Sequence, residues 1–261
     1  MNTQMTFPVE FHIGPARISA HLLLETLAFF IAFRYFLFLR KRKGDRIDEP
    51  NRIWIIIGAT AGALVGSRLL GALESPSAMM KTEHLLLYIY SSKTIVGGLL
   101  GGLLGVELMK SAIREKTSSG DLFVYPLLLG MIIGRIGCFL NGTAESVVGL
   151  PTDSLFGMNL GDGVLRHPVA LYEIVFLVLL WILISIFSKQ ASWQLGLLFK
   201  TFMISYLGFR FGLEFLKPRE SIALNLSAIQ WACVAGWLYY SETIWYLLTN
   251  RQKRMMNGSA A

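Results

Sequence analysis

Long apolar runs recur along this chain and are separated by short polar segments. Seven of the runs can cross the roughly 30 Å hydrocarbon core of a bilayer, because a helix rises about 1.5 Å per residue. The pattern predicts an all-α polytopic membrane protein with seven transmembrane helices, forming a single integral membrane domain over residues 1–261. The predicted spans are His21–Leu39, Ile53–Leu73, Leu85–Met109, Leu122–Leu140, Val169–Phe187, Trp193–Leu216 and Leu226–Thr249.

The third predicted span contains features that interrupt a helix. Lys93 lies within it, and five glycines fall between Gly97 and Gly105. Because a charge and repeated glycines both weaken a helix in lipid, we expect this span to be broken or partly re-entrant. The pair Gly97–Gly98 has two interpretations, which are backbone exposed to a ligand and close packing against a neighbouring helix.

The charge of the loops predicts the orientation in the membrane. With seven spans, thirteen basic residues fall on one side and six on the other. Cytoplasmic loops carry the excess of Lys and Arg, so we expect the N-terminus outside and the C-terminus in the cytoplasm. The longest outer loop, Asn141–Pro168, is then a candidate lid. The thirteen are Arg40, Lys41, Arg42, Lys43, Arg46, Arg52, Lys110, Arg114, Lys116, Lys189, Arg251, Lys253 and Arg254, and the six are Arg17, Lys81, Lys93, Arg166, Lys217 and Arg219.

The composition supports a membrane protein and excludes other classes. Of the 261 residues, 54% are hydrophobic and 16% charged, and the mean hydropathy is +0.53. The net charge of +7 does not indicate nucleic-acid binding, because the basic residues concentrate beside the apolar runs. Cys138 and Cys233 are too few for a disulfide framework or a metal cluster, so we expect no metal. Residues 1–15 lack the pattern of a cleavable signal peptide.

Charged side chains inside the predicted spans indicate a functional site. Arg68, Arg135, Arg210 and Glu214 each lie in an apolar run, where a charge costs on the order of 2.5–3.5 kcal/mol at the helix centre. With the predicted orientation, the three arginines fall in the outer halves of their spans. Other polar or glycine positions come to the same depth, which predicts a polar cavity open to the outer leaflet; they are His21, Gly97, Gly98, Arg166 and His167.

Each arginine has an alternative structural interpretation. Tyr206, Arg210 and Glu214 share one helix face, which fits either a phosphate-binding arginine steadied by Glu214 or an ion pair that only fixes packing. Arg135 lies among small residues, and it either binds an anion or extends towards the membrane surface from the helix end. Two arginines on separate helices would bind a phosphodiester in the bidentate manner that lysine cannot supply.

The stretch around Arg135 resembles a family signature. The sequence Gly134-Arg135-Ile136-Gly137-Cys138-Phe139-Leu140-Asn141-Gly142 is similar to the signature of bacterial prolipoprotein diacylglyceryl transferases. Shorter matches follow in the same order along nearly the whole chain. They are Ile13-Gly14-Pro15, Gly66-Ser67-Arg68, Gly97-Gly98-Leu99, Arg166-His167-Pro168-Val169-Ala170-Leu171-Tyr172-Glu173, Arg210-Phe211-Gly212-Leu213-Glu214-Phe215 and Leu226-Ser227-Ala228-Ile229-Gln230.

The resemblance implies an enzyme of the bacterial cytoplasmic (inner) membrane with its active site towards the outer leaflet. It would transfer the diacylglyceryl group of phosphatidylglycerol to the lipobox cysteine in the signal peptide of a lipoprotein precursor, releasing glycerol phosphate. Neither a cofactor nor a nucleic-acid partner is expected. The predicted catalytic residues are Arg135, Arg210, Tyr206, Glu214 and His21, and the predicted substrate-binding residues are Arg68, Gly97, Gly98, Asn141, Glu145, Gly149, Arg166 and His167.

Several positions depart from the family pattern. Val96 stands where the family commonly has a His before Gly-Gly-Leu, and that His is a leading candidate for deprotonating the thiol. His21 stands where a Tyr is usual, Cys138 where an Asn is usual, and Thr143 where a Glu is usual, with Glu145 close by. The departures leave open an alternative function, in which a divergent paralogue binds or translocates anionic phospholipid without transferase activity.

Overall fold

The computed structural model describes residues 7–14, 16–144, 148–190 and 195–258. Within these ranges most residues are helical, and the strands are short. In chain order the elements are β1 (Glu10–Ile13), β2 (Ala16–Ser19), α1 (Ala20–Lys43), α2 (Glu49–Ala72), α3 (Pro76–Lys81), α4 (Leu85–Ser91), α5 (Ile95–Ala112), α6 (Val124–Asn141), β3 (Met158–Asn159), β4 (Leu165–Arg166), α7 (Val169–Gln190), α8 (Leu197–Leu213), α9 (Ala228–Tyr239) and α10 (Ser241–Gly258).

Five helical segments of the described chain are long and apolar enough to cross a membrane. They are α1, α2, α5, the segment Asp121–Ala144 that contains α6, and Val169–Ser188 of α7. These segments correspond to the first five predicted spans and confirm a helical membrane protein.

The third predicted span is broken, as expected from its sequence. Helix α4 ends at Ser91 and α5 begins at Ile95. Between them, the Thr94 side chain caps α5 by accepting a hydrogen bond of 3.0 Å from the Gly97 amide. The break therefore lies beside Lys93, whereas the five glycines lie inside α5.

The last two predicted spans form helices of different lengths. Helix α8 has 17 residues, which corresponds to about 26 Å. Helix α9 has 12 residues and is followed by α10 after Tyr240 alone. Helical hydrogen bonds continue through this junction, because Tyr240 donates to Gly236 O at 3.1 Å and Ile244 donates to Tyr240 O at 2.9 Å.

The chain divides into two compact units, of which the first comprises Met1–Asp45, Ser119–Gln194 and Phe215–Pro218. In it, α6 packs against both α1 and α7. The rings of Phe36 and Phe123 stack with centroids 4.4 Å apart at one end of this packing. At the other end, β1 and β2 form an antiparallel hairpin. The Val9 amide before the hairpin donates to Leu140 O near the end of α6 at 2.9 Å.

The second unit comprises Arg46–Ser118, Leu195–Glu214 and Arg219–Ala261. Its main contact is between α2 and α5, and further packing joins α9 to α5 and α8. Glycines at intervals of four residues face each other between α2 and α5, and an added Cβ at any of them would collide with the backbone of the facing helix. Their absent side chains let the two helix backbones approach closely. The glycines are Gly58, Gly62 and Gly66 on α2 and Gly97, Gly101 and Gly105 on α5.

Candidate functional site

Arg135 forms a buried ion pair within the first unit. Its Nε lies 3.0 Å from Oε1 of Glu173, and the two side chains are 6% and 1% exposed. Arg135 projects from α6 and Glu173 from α7, so the pair joins two neighbouring membrane helices. Its Nη1 also lies 3.7 Å from the Cys138 sulfur. Because its side chain is buried against Glu173, Arg135 does not extend from the helix end towards the membrane surface.

Arg210 forms a second buried ion pair, in the second unit. Its Nη2 donates to Oε2 of Glu214 at 3.3 Å, and the side chains are 4% and 0% exposed. Glu214 lies one residue beyond α8, at the start of a short 3₁₀ turn. Tyr206 is fully buried one helical turn before Arg210, and its ring stacks on Phe202 with centroids 6.1 Å apart. The sequence spacing thus correctly predicted that Arg210 and Glu214 meet.

Arg68 has different partners, in the part of the second unit where α4 gives way to α5. Its Nη1 donates to Ser92 O at 3.2 Å, and its guanidinium lies 5.1 Å from the centre of the Tyr90 ring. Gly97 is buried against Gly66, which favours the packing interpretation for that residue. At Gly98, an added Cβ would meet no atom closer than 3.7 Å, so this glycine is not required by packing.

His21 lies on the first turn of α1, in the first unit. Its Nε2 is 3.4 Å from Oε2 of Glu25 one turn later. Its backbone faces α6, where a Cβ added to Gly137 would lie 3.3 Å from His21 O. The structure thus brings His21 beside the helix that carries Arg135.

The loop between α6 and α7 places most of the remaining predicted residues around Gly149. The backbone of Gly149 packs so closely against His167 that an added Cβ would collide with it. The Arg166 Nη1 donates to Gly149 O at 3.4 Å, and the His167 Nδ1 lies 3.2 Å from the Tyr172 hydroxyl. Arg166 also pairs with Asp162 at 2.7 Å. This hydrogen bond from Arg166 lowers the pKa of Asp162 below its usual value.

Two other predicted residues mark the beginning of the same loop. Asn141 is the last residue of α6, and Gly142 follows with a positive φ of 57°. The backbone of Gly142 packs against Leu160 of the loop. Glu145 lies outside the residues that the structure describes.

Two acidic partners of the predicted catalytic residues, Glu173 and Glu25, were not predicted as site residues. Glu173 lies in an apolar run, so it carried the same sequence signal as Arg135. Glu25 carried no such signal, because an acidic residue near the start of a helix is common. A third residue, Gln230, is fully buried and connects α9 to α8 by donating from Nε2 to Phe211 O at 3.2 Å.

Comparison with known proteins supports the resemblance found in the sequence. The family model described as prolipoprotein diacylglyceryl transferase matches residues 8–246. The phosphatidylglycerol–prolipoprotein diacylglyceryl transferase of Cupriavidus pinatubonensis is 31% identical over 245 residues, covering 86% of this chain and 85% of that protein. The protein of the same name from Bordetella parapertussis is 30% identical over 252 residues, with 87% and 90% covered. That of Dehalococcoides mccartyi is 26% identical over 259 residues, with 95% of both chains covered.

The match spans most of both compact units and includes Arg68, Arg135 and Arg210. A family model that covers this much of a chain identifies more than a shared motif. The chain belongs to the prolipoprotein diacylglyceryl transferase family.

Proposed function

We propose that this membrane transferase moves the diacylglyceryl group of phosphatidylglycerol to the lipobox cysteine of a lipoprotein precursor. The observation that carries the proposal is the pair of buried arginines, Arg135 and Arg210, in apolar helices that lie within the family match. Each is held by a buried carboxylate. A guanidinium in this setting has a fixed direction, which is what recognition of a lipid phosphate requires.

The proposed reaction is a displacement at carbon. The cysteine thiolate attacks the glycerol carbon of the diacylglyceryl group, a carbon–sulfur bond forms, and the carbon–oxygen bond to phosphate breaks. Glycerol phosphate leaves with the electron pair. Negative charge grows on the departing phosphate, so a guanidinium that contacts it stabilises the transition state, and Arg135 and Arg210 are the proposed sources of that charge. Glu173 and Glu214 orient the two guanidinium groups, and Tyr206 lies one turn before Arg210 on α8.

Each of the two helices that carry these arginines also has a glycine next to open space. Gly134 directly precedes Arg135, and Gly212 follows Arg210 by two residues. A Cβ added at either glycine would meet no atom within 4 Å. The remaining predicted binding residues would contact the lipid head group or the peptide; they are Arg68, Gly97, Gly98, Asn141, Glu145, Gly149, Arg166 and His167.

The proposed topology has seven spans in a bacterial inner membrane, with the N-terminus and the site towards the outer leaflet. Helix α8 would supply the sixth span, and α9 with the start of α10 would supply the seventh. The excess of thirteen basic residues over six on the opposite side supports this orientation. The loop between α6 and α7 would then face outward as a lid over the lipid and the precursor peptide.

A second function is favoured by one position. Val96 is fully buried where the family commonly has a histidine, and a valine cannot accept a proton. A protein that kept the arginines but had no base would bind or translocate anionic phospholipid without transferring it.

An assay with purified protein, phosphatidylglycerol and a lipobox peptide distinguishes the two functions. Release of glycerol phosphate that depends on the peptide cysteine supports the transferase. A matched peptide with serine at that position is the control, and it should release none. Saturable phospholipid binding with no release from either peptide would instead support the second function.

A further inference from the structure

We infer that His21 and Glu25 form a dyad that takes the proton from the acceptor thiol. The inference rests on the proposed transfer reaction and supplies the base that Val96 cannot provide. His21 stands where the family usually has a tyrosine, so the base would lie on α1 instead of α5. The geometry of α1 and of its contact with α6 carries the argument.

The dyad is positioned by the first two turns of α1. Oε2 of Glu25 lies 3.4 Å from Nε2 of His21, and the two side chains are 17% and 33% exposed. The Ser19 hydroxyl caps the helix by accepting a hydrogen bond of 3.2 Å from the His21 amide. Residues four apart share a helix face, so Glu25 lies within reach of the imidazole, and the cap fixes where the helix begins.

The dyad lies beside the segment that binds the proposed phosphate. Gly137 is two residues after Arg135, and a Cβ added to it would lie 3.4 Å from the Cα of His21. The added Cβ would also lie 3.2 Å from the Cβ of Leu24, so the two helices are in close contact at this glycine. Arg135 itself points to Glu173 on α7, so the proton acceptor and one proposed phosphate ligand lie at the same level of α6, on different sides of it, within one compact unit.

The proposed reaction needs a base that deprotonates the acceptor thiol, and the dyad can supply it. Nδ1 of His21 is the ring nitrogen away from Glu25, and it takes the proton of the thiol. The resulting thiolate forms the carbon–sulfur bond as the carbon–oxygen bond to phosphate breaks. The Glu25 carboxylate stabilises the imidazolium, as the acidic member does in a catalytic triad. The imidazolium then returns the proton to water or to the released phosphate.

The other described histidines lack this arrangement. His167 contacts the hydroxyl of Tyr172, and His12 and His84 are exposed. Among them, His12 is a suitable control position because it lies on β1, outside the proposed site.

The test compares a cysteine peptide with a selenocysteine peptide. A selenol is ionised at neutral pH and needs no base, whereas a thiol is mostly protonated. His21→Ala should lower the transfer rate to the cysteine peptide by about 10²-fold or more, the usual contribution of general base catalysis. Glu25→Gln should lower it by about 10-fold. Both losses should shrink to less than about threefold with the selenocysteine peptide, while His12→Ala should leave both rates unchanged.

Two results would overturn the dyad. One is equal loss with both peptides, which indicates a structural role; the other is wild-type transfer to the cysteine peptide by both variants. Glu25→Gln keeps the test decisive if His21→Ala folds poorly, because Glu25 is the more exposed partner. A wild-type protein that transfers to neither peptide contradicts the proposed function itself, so the two failures are distinguishable.

Discussion

The buried ion pair between Arg135 and Glu173 has a structural role and a proposed chemical role. Taking either charge away leaves the other without compensation in a low-dielectric interior, which typically costs about 3–5 kcal/mol. A loss of activity after mutation of Arg135 alone therefore does not distinguish phosphate binding from helix packing. Neutralising both partners together separates the two roles.

We predict that replacing both Arg135 and Glu173 by glutamine restores stability but does not restore activity. Arg135→Gln alone should lower the free energy of unfolding by about 3–5 kcal/mol, because Glu173 stays buried. Adding Glu173→Gln should restore most of that stability, as measured by thermal unfolding in detergent. Transfer should be lost in both proteins, because the guanidinium is gone. Near-normal transfer by the double variant would contradict a role for Arg135 in binding phosphate.

Site residues could be predicted from the sequence where a charged side chain lies within an apolar run. Arg135, Arg210 and Glu214 stand out because charges are rare in apolar runs, and all three are buried in ion pairs. Glu173 stands out for the same reason. The contact of His21 with Glu25 could not be selected in this way, because both residues lie near a helix start where polar residues are common.

At the scale of elements, the glycines of α2 and α5 determine how closely these helices pack. An added Cβ at Gly101 would lie 2.8 Å from the Cα of Gly66, and the facing backbone cannot move away cheaply. At Gly102, on the same helix, the nearest atom would be Ala59 O at 3.4 Å, which is an ordinary contact.

We therefore expect alanine substitutions at Gly101 and Gly102 to have different effects on the stability of the protein. Gly101→Ala should destabilise the protein by about 1–3 kcal/mol through overpacking. Gly102→Ala should be neutral or stabilising by up to about 1 kcal/mol, because alanine favours helix over glycine. Thermal unfolding of the two variants in the same detergent measures the difference. Equal stability would show that the glycines do not form the packing surface.

The apolar pattern predicted where the long helices lie, but it did not predict which residues interrupt a helix and which do not. The break in the third span lies beside Lys93, because a charged residue is tolerated at the end of an apolar helix far better than inside it. The glycines did not interrupt α5, because their facing partners on α2 compensate for their low helix propensity. The hairpin β1–β2 has strands of only 4 residues, which is too short for alternation to be recognised.

At the scale of the whole molecule, the proposed orientation places opposite loops on opposite sides of the membrane. Ser154 lies in the loop between α6 and α7, and Arg46 lies in the loop between α1 and α2; both are exposed. In a protein whose Cys138 and Cys233 are replaced by alanine, Ser154→Cys should react with a membrane-impermeant maleimide in intact cells. Arg46→Cys should react only after the cells are opened. The reverse pattern would contradict the orientation.

The central claim is that the buried guanidinium groups of Arg135 and Arg210 serve in binding the lipid phosphate. Replacing each arginine by lysine tests it most directly, because lysine keeps the charge beside Glu173 or Glu214 but removes bidentate binding. We predict that Arg135→Lys and Arg210→Lys each lower kcat/KM for phosphatidylglycerol by about 10-fold or more, with little change in thermal unfolding. A kcat/KM close to that of the wild type in either variant would contradict the claim.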